Sequence, residues 1–223
     1  LECAAGVGSL SLALAREGRT VVAADTSARS LVVLARRAAA AGAGCRVLPV
    51  VADVTRLPFA AATFASATTA ETLEHVAEDG LAALEFARVL VGGGWLVGTV
   101  PAGPSQWSVW DDWAGHLRRY TRQEMEQLLR SAELRPEVTV WGWPLLRVYD
   151  RVFLMRVNRR RLDHAGGIGD DPTLRAVAGL GRRRLLVKAV RSLFTLDRLF
   201  DGLPWGVGLL FAARKPSTAG RLP

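Results

Sequence analysis

Two carboxylates and a glycine pair carry the first chemical signal. Gly6 and Gly8 follow a short apolar run, and Asp25 and Asp53 each follow another. A glycine turn between a strand and a helix lets a ligand approach bare backbone, and the helix N-terminus offers unpaired N–H groups. In nucleotide-binding sheets an acid at the end of the second strand hydrogen-bonds ribose hydroxyls, and ligands sit at the carboxyl ends of the strands. Three strand ends therefore place polar groups on one rim, which is a site for a nucleotide-like ligand. Taken singly, Asp25 and Asp53 have another reading, as caps of helices or turns.

A second set lies further along. Glu74 and His75 have the look of an acid/base pair, or of a helix start with a structural histidine. Trp107, Trp110 and Trp113 recur at spacing three, followed by His116, Arg118, Arg119 and Tyr120. The tryptophans fit one face of a helical turn. They either pack an insertion onto the sheet or line a pocket with a polar floor. In the second reading Trp110, Trp113, His116, Arg119 and Tyr120 bind substrate. His116 is then the candidate catalytic base, since an unperturbed histidine titrates near neutrality. No Ser-His-Asp set is evident. The two cysteines, Cys3 and Cys45, stand in apolar contexts without metal spacing, so they read as small buried hydrophobes and no metal site is expected. Reduced thiols fit a cytoplasmic protein.

The elements that must position these residues alternate between β-rich runs and helical patterns, which predicts an α/β fold with a mainly parallel sheet. Strands are expected at 1–4, 20–24, 46–52, 64–70, 95–100, 137–143 and 205–214. Helices are expected at 9–17, from the Ser27 cap to about 41, at 78–90 ahead of Gly92-Gly93-Gly94, and from the Thr121–Glu124 capping box to about 132. The chain starts at Leu1 inside a strand pattern, which suggests a first strand cut short.

The ordered set LECAAGVGSL, VVAADTS, VVADVTRLPFAAATF, ETLEHV and RVLVGGGWLVGTVP resembles the successive motifs of class I S-adenosylmethionine-dependent methyltransferases, in particular their broad small-molecule (type 11-like) group. The resemblance covers roughly 1–144 and the last strand. It implies a Rossmann-like three-layer sandwich whose seven-stranded sheet ends in an antiparallel strand. It also implies S-adenosyl-L-methionine as cofactor and methyl transfer to a small-molecule or lipid-linked acceptor. By that resemblance Glu2, Ala4, Gly6 and Gly8 belong to the cofactor turn, with Gly6 and Gly8 at the amino-acid end. Asp25 and Thr26 take the ribose, Asp53 and Val54 flank the adenine, and Glu71 and Thr72 lie beside the methionine portion. The sequence departs from the family at Ala4 (usually glycine), Ala65 (commonly aspartate) and Gly92 (usually proline). A nicotinamide-dependent reductase is disfavoured by the spacing of Ala4, Gly6 and Gly8 and by the absence of a Tyr-x-x-x-Lys pair. The substitutions at Ala4 and Ala65 motivate a different alternative: a non-catalytic binding or membrane-associated protein that kept the fold.

The net charge of +8 is uneven. Residues 1–144 hold 13 basic and 15 acidic side chains, and residues 145–223 hold 16 and 6. Positions 145–204 read as a helical insertion or lid between the last two strands, with basic helices at 145–161 and 182–200. Arg184, Lys188 and Arg191 share one face of the second helix. Residues 205–215 return to the core and 216–223 form a loose tail. The basic helices suit a solvated lid face, an anionic or lipid-linked acceptor, or a peripheral membrane contact. Nucleic acid is disfavoured, because no recognition module accompanies the charge.

Overall fold

The computed structural model describes residues 1–149, 151–152, 192, 195–201 and 203–217. Seven strands form one sheet: β1 (Glu2–Cys3), β2 (Val21–Asp25), β3 (Val47–Val51), β4 (Phe64–Ala70), β5 (Leu90–Pro101), β6 (Arg135–Trp141) and β7 (Gly208–Arg214). Their order is β3-β2-β1-β4-β5-β7-β6. The strands from β3 to β5 pair in parallel, and β7 runs antiparallel to both β5 and β6. Chain order reverses beside β1, so the rim at the carboxyl ends of β1, β2 and β4 is the switch point where such sheets take ligands.

Two apolar cores lie on opposite faces of this sheet. Helices α1 (Ser9–Arg16) and α2 (Ala28–Ala40) bury Leu12, Ala15, Leu31, Leu34 and Ala38 against Ala23 and Val47. On the other face, α3 (Asp79–Val89) and α5 (Arg122–Ser131) bury Phe86, Val89, Met125 and Leu129 against β4, β5, β6 and β7. The result is a three-layer sandwich. Local chemistry sets the helix starts. The Ser27 hydroxyl accepts the Ser30 N–H, and Thr121 with Glu124 forms a reciprocal capping box.

The largest departure from the sequence reading is at β5; β6 runs two residues earlier than expected and β7 starts three later. α3 ends at Val89 and β5 begins at once at Leu90, five residues before the expected start. Phe64 pairs with Leu90 and Ser66 with Trp95, so the chain slips three residues within the ladder. Gly93 sits at φ 82 inside that slip, a conformation with no Cβ penalty for glycine. The triple glycine is therefore an irregularity within β5 rather than a loop before it.

A short helix α4 (Val109–Ala114) follows β5, and α6 (Leu145–Tyr149) follows β6. The backbone N–H groups of Leu145 and Leu146 donate to the buried carboxylate of Asp197, at 3.0 and 2.7 Å. Asp197 belongs to a 3-10 turn at Thr195–Phe200, so the two flanks of the segment between β6 and β7 are tied together. Most of the two expected basic helices, with Arg184, Lys188 and Arg191, lies outside the described residues. Among the described residues no helix is long and apolar enough to cross a membrane.

Candidate active site

A cleft of about 490 Å³ opens at the strand-end rim. It is lined by Ala4, Asp25, Thr26, Asp53, Val54 and Glu71, among others. The turn that leads from β1 into α1 is bound to the end of β2. The Gly6 N–H donates to Asp25 Oδ2 at 2.7 Å, and the Ser27 N–H donates to Asp25 Oδ1 at 2.8 Å. A carboxylate has about four lone-pair positions, so Asp25 keeps acceptor capacity toward the cleft. Gly8 caps α1 at φ 78, and a Cβ there would stand 2.5 Å from the Leu34 side chain. Both backbone and packing thus exclude a larger residue. Around Gly6 no atom lies within 4 Å of where a Cβ would stand, so that face of the turn is open to a ligand. Ala4 takes a left-handed conformation at φ 56, which glycine adopts freely and alanine does not.

On the far side of β2, Asp53 accepts the Thr55 backbone N–H and hydroxyl, both through Oδ1 at 2.8 Å. These bonds hold its carboxyl below the usual range and leave Oδ2 open. Glu71, just beyond β4, stands at φ 49. A non-glycine residue in that region marks a backbone held by its surroundings, a pattern that clusters at ligand sites. Here the Glu71 N–H is bound to the Thr99 carbonyl of β5. Glu2 lies beneath the turn rather than on the cleft wall. It is buried, it accepts the Ser11 hydroxyl, and burial raises its carboxyl above the usual range.

The second set gathers beside the same cleft. A 3-10 turn at Leu73–His75 follows β4, and the segment 115–120 is laced onto it. The Leu117 N–H donates to the Glu74 carbonyl, and Arg118 binds the Ala77 carbonyl and the Asp79 carboxylate. The buried Tyr120 donates its hydroxyl toward Leu73 O and Asp79 Oδ2, at 3.1 and 2.7 Å. Burial, and then Asp79, push its phenol well above the ordinary tyrosine range.

Asp111, wholly buried at the start of α4, is the hub of this second set. It caps Ser108, holds Arg119 through both oxygens at 2.7 and 2.9 Å, and meets His116 Nδ1 at 2.8 Å. Burial alone would raise its carboxyl; the Arg119 and His116 hydrogen bonds outweigh that and hold it low. The His116 ring meets His75 edge to face, with centroids 4.7 Å apart. His75 Nδ1 lies 3.2 Å from the Gly115 carbonyl. Glu74, between them, is 0% exposed, and its carboxylate oxygens have no hydrogen-bond partner among the described residues. Burial pushes that carboxyl up to about 8. Trp110 stacks on Trp113 at 4.5 Å, and Trp107 lies outside the helix, donating to Asp112. Two of the three tryptophans therefore share a face.

Residues 1–98 match the family described as "Methyltransferase domain". Over these residues, less than half of the chain, the protein is similar to that family. A demethylmenaquinone methyltransferase of Mycolicibacterium paratuberculosis (strain ATCC BAA-968 / K-10) is 32% identical over 150 residues, which is 65% of this chain and 60% of that protein. The chain thus spans less than two thirds of the curated relatives it matches. Among solved structures, the [4+2]-cyclase SpnF superposes with a TM-score of 0.66 at 23% identity, covering 97% of this chain and 74% of SpnF. A protein described as a putative sarcosine dimethylglycine methyltransferase from Galdieria sulphuraria gives 0.68 at 15%, covering 96% and 77%. At such identities these two likenesses concern the fold.

The rim brings together Ala4, Asp25, Thr26, Asp53, Val54, Glu71 and Thr72 around one cleft. Gly6 and Gly8 shape the turn beside it, and Glu2 lies below. His116, Arg119 and Asp111 form one hydrogen-bonded group, Trp110 and Trp113 form another, and Tyr120 lies in the core. The sequence reading did not place His75, Val76, Ala77 and Glu78 in the cleft wall, although they stand there. Their position directly after β4, on the ligand rim, was the available signal. Asp111 carried no such signal, because its partners depend on the fold.

Proposed function

We propose that the cleft binds S-adenosyl-L-methionine and that the protein transfers its methyl group to a small-molecule acceptor. The observation that carries this reading is the pair Asp25 and Asp53, held at adjacent strand ends with acceptor oxygens to spare, beside the open backbone of Gly6. That set suits an adenosyl group: a diol for Asp25, and an apolar slot at Val54 next to Asp53 for the base. Glu71 and Thr72 then face the amino-acid portion. When bound, the cofactor supplies a methyl group activated by a sulfonium. The chain's task is alignment and exclusion of water, which needs no protein nucleophile.

The acceptor enters from the side of His75, His116 and the Trp110–Trp113 stack. The stacked indoles offer a flat apolar surface suited to an aromatic or long-chain acceptor. Demethylmenaquinone, named in the relatives, is the first compound to test. The excess of basic residues beyond position 144 supports an anionic or lipid-linked acceptor, or one presented at a membrane surface. Replacing Arg184, Lys188 and Arg191 by glutamine should then weaken liposome binding and leave cofactor affinity unchanged.

Calorimetry tests the central claim. The chain should bind S-adenosyl-L-methionine with one site, and Asp25→Ala should weaken binding at least ~10-fold, about 1.4 kcal/mol. A folded wild-type chain that binds neither this compound nor its demethylated product overturns the reading. The left-handed Ala4 favours a second reading, a protein that keeps the cleft without methyl transfer. Tight binding without turnover on any acceptor would support it.

A further inference from the structure

We propose that Glu74, His75 and His116 form a site for one divalent first-row transition-metal ion at the edge of the cofactor cleft. One ligand atom from each lies within 4.8 Å of the other two. Ligands bound to a single ion at ~2.1 Å stand no more than ~4.2 Å apart, so closure needs side-chain shifts of under ~1 Å.

Three independent features prepare these groups. Both imidazoles have Nδ1 set against an acceptor: a carboxylate oxygen of Asp111 for His116, and the Gly115 carbonyl for His75. Neither acceptor can donate, so a neutral ring held in this way has its proton on Nδ1 and leaves Nε2 to bind an ion. A histidine whose outer nitrogen is held by a carboxylate or carbonyl is the usual arrangement behind a metal ligand. Glu74 supplies the third feature. It is fully buried, and neither oxygen has a partner among the described residues. A buried carboxylate left without partners is costly, and a cation beside it removes that cost. Arg119, whose charge acts on Glu74, is already held through Nε and Nη2 by Asp111.

Two imidazoles and one carboxylate suit Zn²⁺, Mn²⁺, Co²⁺ or Fe²⁺ better than Mg²⁺ or Ca²⁺, which prefer all-oxygen shells. Three protein ligands leave open positions, so the ion takes water or an oxygen of the acceptor and lowers the pKa of that oxygen's proton. His116 then acts as a ligand and not as a free base, since Nε2 has one lone pair. No ligand spacing in the sequence indicates this site, because 40 residues separate His75 from its partners at 115 and 116.

The inference goes beyond cofactor binding and is tested without it. Tag-free chain, stripped with EDTA, is titrated with Zn²⁺ in competition with a chromophoric chelator, and with Co²⁺ by visible absorption. One equivalent of each ion should bind, with Co²⁺ showing ligand-field bands. His75→Ala and Glu74→Gln should each weaken Zn²⁺ binding at least ~10-fold, and Asp111→Asn, which touches no ion, also by ~10-fold. Thermal melts by circular dichroism confirm that each variant is folded. His75 is exposed, so its variant decides the matter if the others unfold. Wild-type chain that takes up no equivalent, or variants that bind as wild type does, would overturn the site. Calorimetry with S-adenosyl-L-methionine on the same samples keeps the two readings separate: binding of the cofactor without the ion refutes only the metal site, and the reverse refutes only the cofactor reading.

Discussion

The two halves of the cleft are built in different ways. In the cofactor half, the bonds that orient the carboxylates are mostly short in sequence: Asp25 to Ser27, Asp53 to Thr55, and Gly6 to Asp25 across one helix. In the half formed by 72–79 and 108–120, the bonds that orient the side chains include several that join residues about 40 positions apart: His75 to Gly115, Tyr120 to Asp79, Arg118 to Ala77. The first half leaves Asp25 half-buried and Asp53 exposed, with the Asp53 carboxyl held low by its Thr55 hydrogen bonds. The second buries Glu74 and Asp111 completely and treats them differently, with several partners for the Asp111 carboxylate and none for that of Glu74 among the described residues. The strand-end acids are thus set mostly by local geometry. Whatever is particular to this protein rests on packing between distant segments.

The largest way to break the second half is to remove its hub. Asp111→Ala leaves Arg119 and His116 without their buried partner and removes the α4 cap, and should cost about 3–5 kcal/mol in urea unfolding. The equivalent loss at Asp53, an exposed acid, should be far smaller. A ratio near one would erase the distinction between the halves.

Glu74 gives the next effect, with a sign that depends on pH. Its carboxyl is raised from 4.5 to about 8 in the folded chain. The folded state therefore holds this proton where the unfolded state releases it, and stability from this group is present below pH 4.5 and lost as pH rises through about 8. In metal-free protein, Glu74→Gln should be more stable than wild type by about 1–3 kcal/mol above pH 8, and nearly equal to it at pH 4.5. Added Zn²⁺ should shrink the difference at high pH. A gap that is constant across this range would show that Glu74 is not a buried, uncompensated acid.

The smallest effect sharpens the first half. Ala4→Gly relieves a left-handed alanine and should add about 0.5–1 kcal/mol of stability, read as a shift in the urea midpoint. Affinity for S-adenosyl-L-methionine should rise or stay the same. A loss of stability would mean that the Ala4 methyl is a packing contact and not a strained one.

Much of this molecule was legible before folding was considered. Ser27 and the Thr121–Glu124 box marked helix starts because a cap involves residues two or three apart. β4 was bounded correctly at Phe64–Ala70, and Asp25 and Asp53 were found because each sits at the end of an apolar run. The start of β5 was missed: three glycines look like a stop, and only pairing with β4 and β7 holds them in the ladder. The histidines were visible as residues, yet their states were not. His116 becomes a fixed tautomer only when α4 delivers Asp111, and His75 only when the chain returns to place Gly115 beside it. Glu74 was half of an apparent acid/base pair until burial removed its water.

The sequence by itself marked the alternating strands and helices and the acids at the strand ends, since periodicity and caps act over a few residues, while the layering was implied by the family resemblance. Tertiary structure decided which polar groups lost their solvent and which distant groups replaced it. Desolvation is a property of the packed chain: no spacing rule predicts that the Glu74 carboxylate ends with no partner among the described residues while that of Asp111, 37 residues later, ends with four groups bound to it.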